Sequence, residues 1–489
     1  MLNKWKQKIT KFVCFALTCQ LFVLTAWAKP DWPSDTGIMA EAGIVMDMDS
    51  GAILYGQNIH LPYYPASITK ILTALIVLEN CNLQDTVTFS TTAVNQVEAD
   101  SGNKISVVAG DELSVEDCLY SLLLVSCNQA ANALAEHTAG SIPAFVDMMN
   151  EKLVELGCQE SHFENPSGLN NDNQYVSAYD MALIAQAAYD NDTLVEISSA
   201  TTHKIAPTTQ NPDGFTIRGE HRLCVTEDPS SPYYYPEAVA GKTGYLIKAG
   251  NTLVTYAVKD NRRLVSVILK GQPRQYFVDG KALLEFGFRS FQDYTVADYE
   301  SRYVTGNETI NLDKGSFQAS DLMIDPDSVI TLPNGATFED ADISLGALPE
   351  ISPDNAVALL TYSYNDRTIG TAYLLAKDGV TIDGDDPDTE TAPSDTDASN
   401  TAASVATASN AEKPQRPHKN ISVAGVLITI LLVLLALGVI GLVSWFIYSK
   451  KKEARLLAER RERRRQRLKR SGDEEEFERL LNEYKNKKK

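Results

Sequence analysis

The stretch Pro65-Ala66-Ser67-Ile68-Thr69-Lys70-Ile71-Leu72-Thr73-Ala74-Leu75-Ile76-Val77-Leu78-Glu79-Asn80 decides how the chain is read. Its apolar periodicity predicts a helix over Ala66–Asn80, with Ser67 at the N-terminus beside unpaired backbone N–H groups. The residue three places on returns to the same face, so Lys70 comes within reach of the Ser67 hydroxyl. Serine is a weak nucleophile that needs an adjacent base. A lysine amine serves as one only when neutral, a state favoured by burial or by a nearby cation. Alone, S-x-x-K arises about once or twice by chance in a chain this long, and then denotes no more than a capped amphipathic helix.

The flanking sequence supplies a sheet. Gly43–Asp47 and Ala52–Tyr55 bracket the turn Asp49-Ser50-Gly51 and read as a hairpin. Val115–Val125, Gln129–Thr138 and Pro143–Leu156 are helical in pattern, and Ser114–Asp117 and Ser177–Asp180 have the spacing of capping boxes. Strands return at Val239–Tyr245, Asn251–Val258 and Arg263–Lys270, the last two joined across Asp260-Asn261, before a closing helix at Phe277–Phe286. This order predicts an α/β (α+β) sandwich, with a helical subdomain and an antiparallel sheet shared by the first and last strands.

Two more motifs follow in order. Ser126-Cys127-Asn128 falls in the break between two helices, where a hydroxyl and an amide can face a cleft, and Lys242-Thr243-Gly244 lies on a strand. A K-T-G triplet arises by chance about once in several thousand positions. The order S-x-x-K, S-x-N, K-T-G is that of serine penicillin-binding proteins and class A β-lactamases.

Over Gly43–Phe288 the chain resembles the serine D-alanyl-D-alanine carboxypeptidases, the low-molecular-mass penicillin-binding proteins. It shares Met46–Gly51, Pro65–Lys70, Asn165-Pro166-Ser167-Gly168-Leu169, Ser177–Ala182, and Gly241–Tyr245 with Ala249-Gly250. The resemblance implies a β-lactamase/transpeptidase-like fold followed by a small all-β module. It further implies that Ser67 attacks the D-Ala-D-Ala bond of a peptidoglycan stem peptide and forms an acyl-enzyme that water hydrolyses. Lys70 would take the serine proton, Ser126 would relay a proton to the leaving amine, and Asn128 would hold the acyl-side amide. Lys242 and Thr243 would receive the terminal carboxylate, and Gly244 would allow close approach of the strand. The N–H groups of Ser67 and Tyr245 would form the oxyanion hole. β-Lactams would acylate Ser67, and the chemistry calls for no cofactor.

Three departures stand out: Leu246 where the family often has Thr or Ser, Cys127 in the middle of S-x-N, and the form of the membrane anchor. A β-lactamase would need a deacylating glutamate, but Glu164 lacks E-x-x-x-N spacing because position 168 is Gly. A membrane β-lactam sensor would need an intracellular signalling domain, and the highly charged C-terminal tail of about 40 residues offers no core for one.

Charge and composition set the remaining expectations. Of 489 residues, 44 are Lys or Arg and 64 Asp or Glu, but residues 29–449 hold 23 basic against 55 acidic ones. So acidic a body disfavours nucleic acid. Lys4, Lys6, Lys8 and Lys11 precede an apolar run ending at Ala26-Trp27-Ala28, which predicts a signal peptide over 1–28. A catalytic domain is expected over 37–290, a small β-rich domain over 292–378 and an Asp/Ser/Thr/Ala-rich linker over 379–420. The uncharged 421–449 is long enough to cross the lipid bilayer, with the basic tail 450–489 in the cytoplasm and the catalytic domain outside. Five cysteines outside the signal peptide are read mostly as buried thiols, and no histidine pair has metal-ligand spacing.

Overall fold

The first strands, β1 (Ala42–Asp47) and β2 (Ile53–Gln57), form the expected hairpin. Helices follow: α1 (Lys70–Asn80), α2 (Val115–Leu124), α3 (Asn128–Ala139), α4 (Ile142–Glu155), α5 (Ala178–Tyr189) and α6 (Asp192–Ser199). The chain then returns through β3 (Ala238–Leu246), β4 (Gly250–Lys259) and β5 (Arg262–Gly271) to α7 (Gln275–Ser290). The sheet runs in the order β2-β1-β5-β4-β3, so the first and last strands share it as the sequence predicts. Asp260 and Asn261 adopt φ values of 51° and 64°, the left-handed pair that a two-residue hairpin turn requires. The computed structural model describes residues 29–98, 101–349 and 351–382. The expected signal peptide, residues 383–420 of the linker, the apolar span and the basic tail lie outside the described residues, among which no helix is long and apolar enough to cross a membrane.

Burial explains why α1 is apolar on nearly every side. Ile71, Leu72, Ala74, Ile76 and Val77 are at most 1% exposed, packed among the other helices. A helix that is apolar all round belongs in a core, and each large side chain there contributes about 1.5–3 kcal/mol. Serine caps start the surrounding helices: Ser114, Ser141 and Ser177 accept from the N–H groups of Asp117, Ala144 and Asp180. Cys118, Cys127 and Cys158 are buried thiols, whereas Cys81 and Cys224 are half-buried.

Two local expectations are corrected. The continuous helix Ala66–Asn80 is instead a 3-10 turn, Ala66–Thr69, that leads into α1. Tertiary contacts shape this turn: the Pro65 carbonyl accepts from Thr252 Oγ1 at 2.8 Å, and Ala66 is held at φ 51°. The capping boxes form only by half. Asp117 and Asp180 turn away to hold loops, Asp117 accepting from Ala206 N–H and Asp180 from Glu160 N–H.

Beyond α7 come β6 (Phe291–Thr295), β7 (Leu322–Ile324), β8 (Val329–Pro333), β9 (Asp342–Gly346), β10 (Ala356–Tyr364) and β11 (Arg367–Ala376). β6 pairs with β8, while the other four form a sheet in the order β7-β11-β10-β9 over a separate core that includes Ile330, Leu360, Tyr362 and Tyr364. A buried ionic link ties this part to the first sheet. Arg262 donates to Asp47 at 2.9 Å and to Asp293 at 2.6 Å, and Thr331 donates to Asp293 at 2.8 Å. Burial and the nearby Asp293 push the Asp47 carboxyl up to about 7 despite Arg262.

Replacing Arg262 by Met should therefore leave two close carboxylates without their cation and destabilise the protein by about 3–5 kcal/mol at pH 8. Because Asp47 takes up a proton as the pH falls through about 7, the loss should shrink at pH 5. Chemical denaturation of both proteins at the two pH values measures this, and an equal loss at each would contradict the assignment.

Candidate active site

The 3-10 turn carries Ser67, and the first residue of α1 is Lys70. The Lys70 side chain is fully buried, with Nζ 3.1 Å from Ser67 Oγ, 2.8 Å from Asn128 Oδ1 and 2.5 Å from the Ser167 carbonyl oxygen. The last two groups accept and carry no proton of their own to give. A neutral amine would donate its two N–H groups to them and turn its lone pair toward the serine hydroxyl. Burial first, and then the charge of Lys242, hold the Lys70 amine well below the ordinary lysine range.

Each partner is positioned by a local device. Asn128 opens α3, and the link Val125-Ser126-Cys127 before it is bent by Ser126, whose φ is 61°. Cys127 is wholly buried and caps α3, its sulfur accepting from Ala130 N–H at 3.4 Å. Ser126 lies two residues from the Asn128 amide that touches Lys70. The third wall was not assigned a role by sequence. The Asn165–Leu169 segment delivers the Ser167 carbonyl, braced by Asn165 Oδ1, which accepts from Gly168 N–H at 2.8 Å and Leu169 N–H at 3.1 Å. At Gly168, with φ 82°, a Cβ would lie 1.9 Å from the Ala66 carbonyl oxygen. That glycine was the legible signal, since it admits a backbone approach no side chain allows.

β3 closes the remaining side as an edge strand. A Cβ on Gly244 would fall 2.8 Å from the Ser67 backbone nitrogen and 2.3 Å from Thr252 Oγ1, so K-T-G and the serine turn meet at that point. Gly241 exchanges hydrogen bonds with Ser198 Oγ, which shows that its N–H and carbonyl point to the free edge. By strand alternation the N–H groups of Thr243 and Tyr245 point the same way. Behind the strand, His221 accepts no proton readily: burial pushes it down to about 4, and its Nε2 donates to the Val254 carbonyl at 3.1 Å. Lys242 is 1% exposed, with Nζ donating to the Thr243 carbonyl at 2.9 Å. Burial lowers its amine to about 8, while Glu220, itself 3.1 Å from Lys104 Nζ, partly restores it. Sequence reading missed this Glu220–Lys104 pair, which no motif marks. Ser67, Lys70 and Asn128 are joined by hydrogen bonds, Gly244 meets the Ser67 backbone, and the Lys242 charge acts on Lys70. The Tyr245 side chain is 63% exposed, at the mouth.

The description D-alanyl-D-alanine carboxypeptidase fits residues 29–272. Across 361 residues the chain is 30% identical to the D-alanyl-D-alanine carboxypeptidase DacA of Haemophilus influenzae, covering 70% of this chain and 86% of that one. The chain belongs to the D-alanyl-D-alanine carboxypeptidase family. It is also 34% identical over 265 residues to DacB2 of Mycobacterium tuberculosis, covering 53% of this chain and 84% of the relative. Among solved structures, penicillin binding protein 5 from Haemophilus influenzae matches with a TM-score of 0.54 and 25% identity, covering 72% of this chain and 98% of that one. Members of this family are serine peptidases, and the α/β core is of the penicillin-binding type.

Should the Lys242 charge attract the carboxylate of an acyl donor, the reaction would follow its titration. Its loss of charge above about pH 8 should weaken capture, so the second-order rate of penicillin labelling should fall on the alkaline side. In Lys242→Arg, whose guanidinium stays charged, the labelling that remains should hold its level past pH 9. Stopped-time labelling across pH 6–10 measures both profiles, and an unchanged alkaline limb in the variant would assign the titration elsewhere.

Proposed function

We propose that the protein removes the terminal D-alanine from peptidoglycan stem peptides through an acyl-enzyme on Ser67. The observation that carries this reading is the buried Lys70 amine, 3.1 Å from the Ser67 hydroxyl and lowered by burial and Lys242. Lys70 takes the Ser67 proton as the oxygen adds to the scissile carbonyl. The N–H groups of Ser67 and Tyr245 receive the developing oxyanion. Ser126 passes the proton to the departing D-alanine amine, and the carbonyl re-forms as the C–N bond breaks. Asn128, whose Oδ1 is engaged by Lys70, has its NH2 left for the acyl-side amide. Lys242 and Thr243 hold the terminal carboxylate, an anion suited to a buried cation and a hydroxyl, and Gly244 keeps the strand close enough for both. Water then releases the acyl group.

The β-lactamase alternative is less well supported, since the Glu164 carboxylate is turned to His162 at 3.2 Å. β-Lactams enter as slowly released covalent inhibitors. The domain layout we assign is the signal peptide 1–28, catalytic domain 37–290, β-rich domain 292–378, linker 379–420, membrane helix 421–449 and cytoplasmic tail 450–489. In that layout the enzyme acts outside the bacterial cell membrane, held by one span in the lipid bilayer.

With the purified full-length protein and a D-Ala-D-Ala pentapeptide, Ser67→Ala should lose D-alanine release by about 10⁴–10⁶-fold and lose fluorescent-penicillin labelling. Labelling retained at the wild-type level would remove Ser67 from the mechanism.

A further inference from the structure

The Glu220–Lys104 pair joins two walls of the cleft. Glu220 N–H donates to the Leu124 carbonyl at 3.1 Å, two residues before Ser126. The next residue, His221, packs so closely on the catalytic strand that a Gly241 Cβ would fall 2.6 Å from its Nε2. Glu220 is thereby held between the S-x-N break and the start of K-T-G. Lys104 arrives from the other direction, on the chain before α2. That chain is pinned beside the site twice. The Gly102 carbonyl accepts from Gln129 Nε2 at 3.1 Å, next to Asn128, and Glu98 accepts from the Asn170 backbone and side chain at 2.7 and 3.0 Å, three residues past Ser167. Lys104 Nζ then donates to Glu220 Oε1 at 3.1 Å. The two side chains are 46% and 42% exposed, Lys104 and Glu220 respectively, so the bond is solvated and holds the walls together only weakly. Its charges matter more: from the buried Lys242 to the exposed Lys104 they alternate in sign.

We infer that Glu220 and Lys104 are positioning residues that act through Lys242, Glu220 keeping it a cation and Lys104 offsetting the Glu220 charge so that an anionic acyl donor is not repelled. The inference rests on the carboxypeptidase reading, in which Lys242 receives the terminal carboxylate, and deepens it. Two demands conflict at this place. A buried amine stays charged more readily beside a carboxylate, yet an uncompensated carboxylate at the mouth opposes the carboxylate of the substrate. Glu220 answers the first demand and Lys104, bonded to it, the second. Of the two, Glu220 acts on Lys242 the more strongly, raising the amine that Lys104 lowers. The other charged groups around the strand do not take this part. Lys70 and His221 are themselves held low, by burial first and also by the Lys242 charge. Arg222 lies over the Tyr233 ring, 5.1 Å from its centre, while Asp192 and Glu196 on α6 and Lys259 on β4 are exposed.

The test follows the second-order rate of fluorescent-penicillin labelling of the full-length protein against pH. In Glu220→Gln the alkaline limb near pH 8 should move down by about half a pH unit, while the rate at pH 6.5 and low salt should rise about twofold. Lys104→Met should do the reverse in both respects, with a limb at higher pH and a slower rate at pH 6.5. High salt should shrink the rate differences at pH 6.5. The exchange of Glu220→Lys together with Lys104→Glu restores an ion pair but sets the cation where it acts more strongly on Lys242, so its limb should lie below that of wild type. A limb unmoved in both single variants, moved the same way in both, or returned to its wild-type place by the exchange would mark a merely structural bond. Any of these would overturn the inference and leave the carboxypeptidase reading in place. A wild-type protein that takes no label would overturn both.

Discussion

A lysine amine with no exposure to water, set between two carbonyl-type acceptors and a serine hydroxyl, is the constraint around which the rest of the catalytic part is arranged. Charged lysine is expensive to bury. The site meets that difficulty in two ways: the Ser167 and Asn128 oxygens take the N–H groups, and burial together with the Lys242 charge favours the neutral amine. The same features that make the residue tolerable in the core would fit it to act as a base, so its stability and its proposed chemistry have one origin.

To bring those groups together, the backbone takes unusual forms at a few points. Ala66 and Ser126 both occupy the left-handed region despite carrying side chains, and Gly168 and Gly244 admit contacts that a Cβ would block. Such conformations persist only where the surroundings over-determine them. Here the surroundings are the Asn165 brace, the Thr252 bond to Pro65 and the buried Lys70–Val77 of α1, so the strain sits on a rigid support. Farther out, Arg262 joins Asp47 near the serine-side sheet to Asp293 on β6, which couples the β-rich part to the catalytic sheet through a titratable contact.

Much of this was legible from residues alone. The hairpin, the three returning strands with the Asp260-Asn261 turn and the buried α1 followed from apolar period and turn chemistry, because deep burial leaves a strong pattern. The three motifs pointed to Ser67, Lys70, Asn128, Lys242 and Gly244, which the fold brings together. Other features left no local mark. The 3-10 turn at Ala66–Thr69 arises from contacts with residues far along the chain, Gly168 and Thr252. The full capping boxes failed to close because Asp117 and Asp180 are recruited by distant loops. Glu220 and Lys104, which bear on the charge of Lys242, are separated by more than a hundred residues and carry no spacing to recognise.

Burial should hold the Lys70 amine well below the ordinary lysine range in the resting protein. Selective isotopic labelling of lysine side chains, with Lys70 assigned by substitution, would follow its amine by NMR from pH 5 to pH 11. Its amine should titrate well below the ordinary lysine range, and the titration should move upward when Lys242 is replaced by Met. A Lys70 amine that titrates near 10.5, as an exposed lysine does, would contradict it.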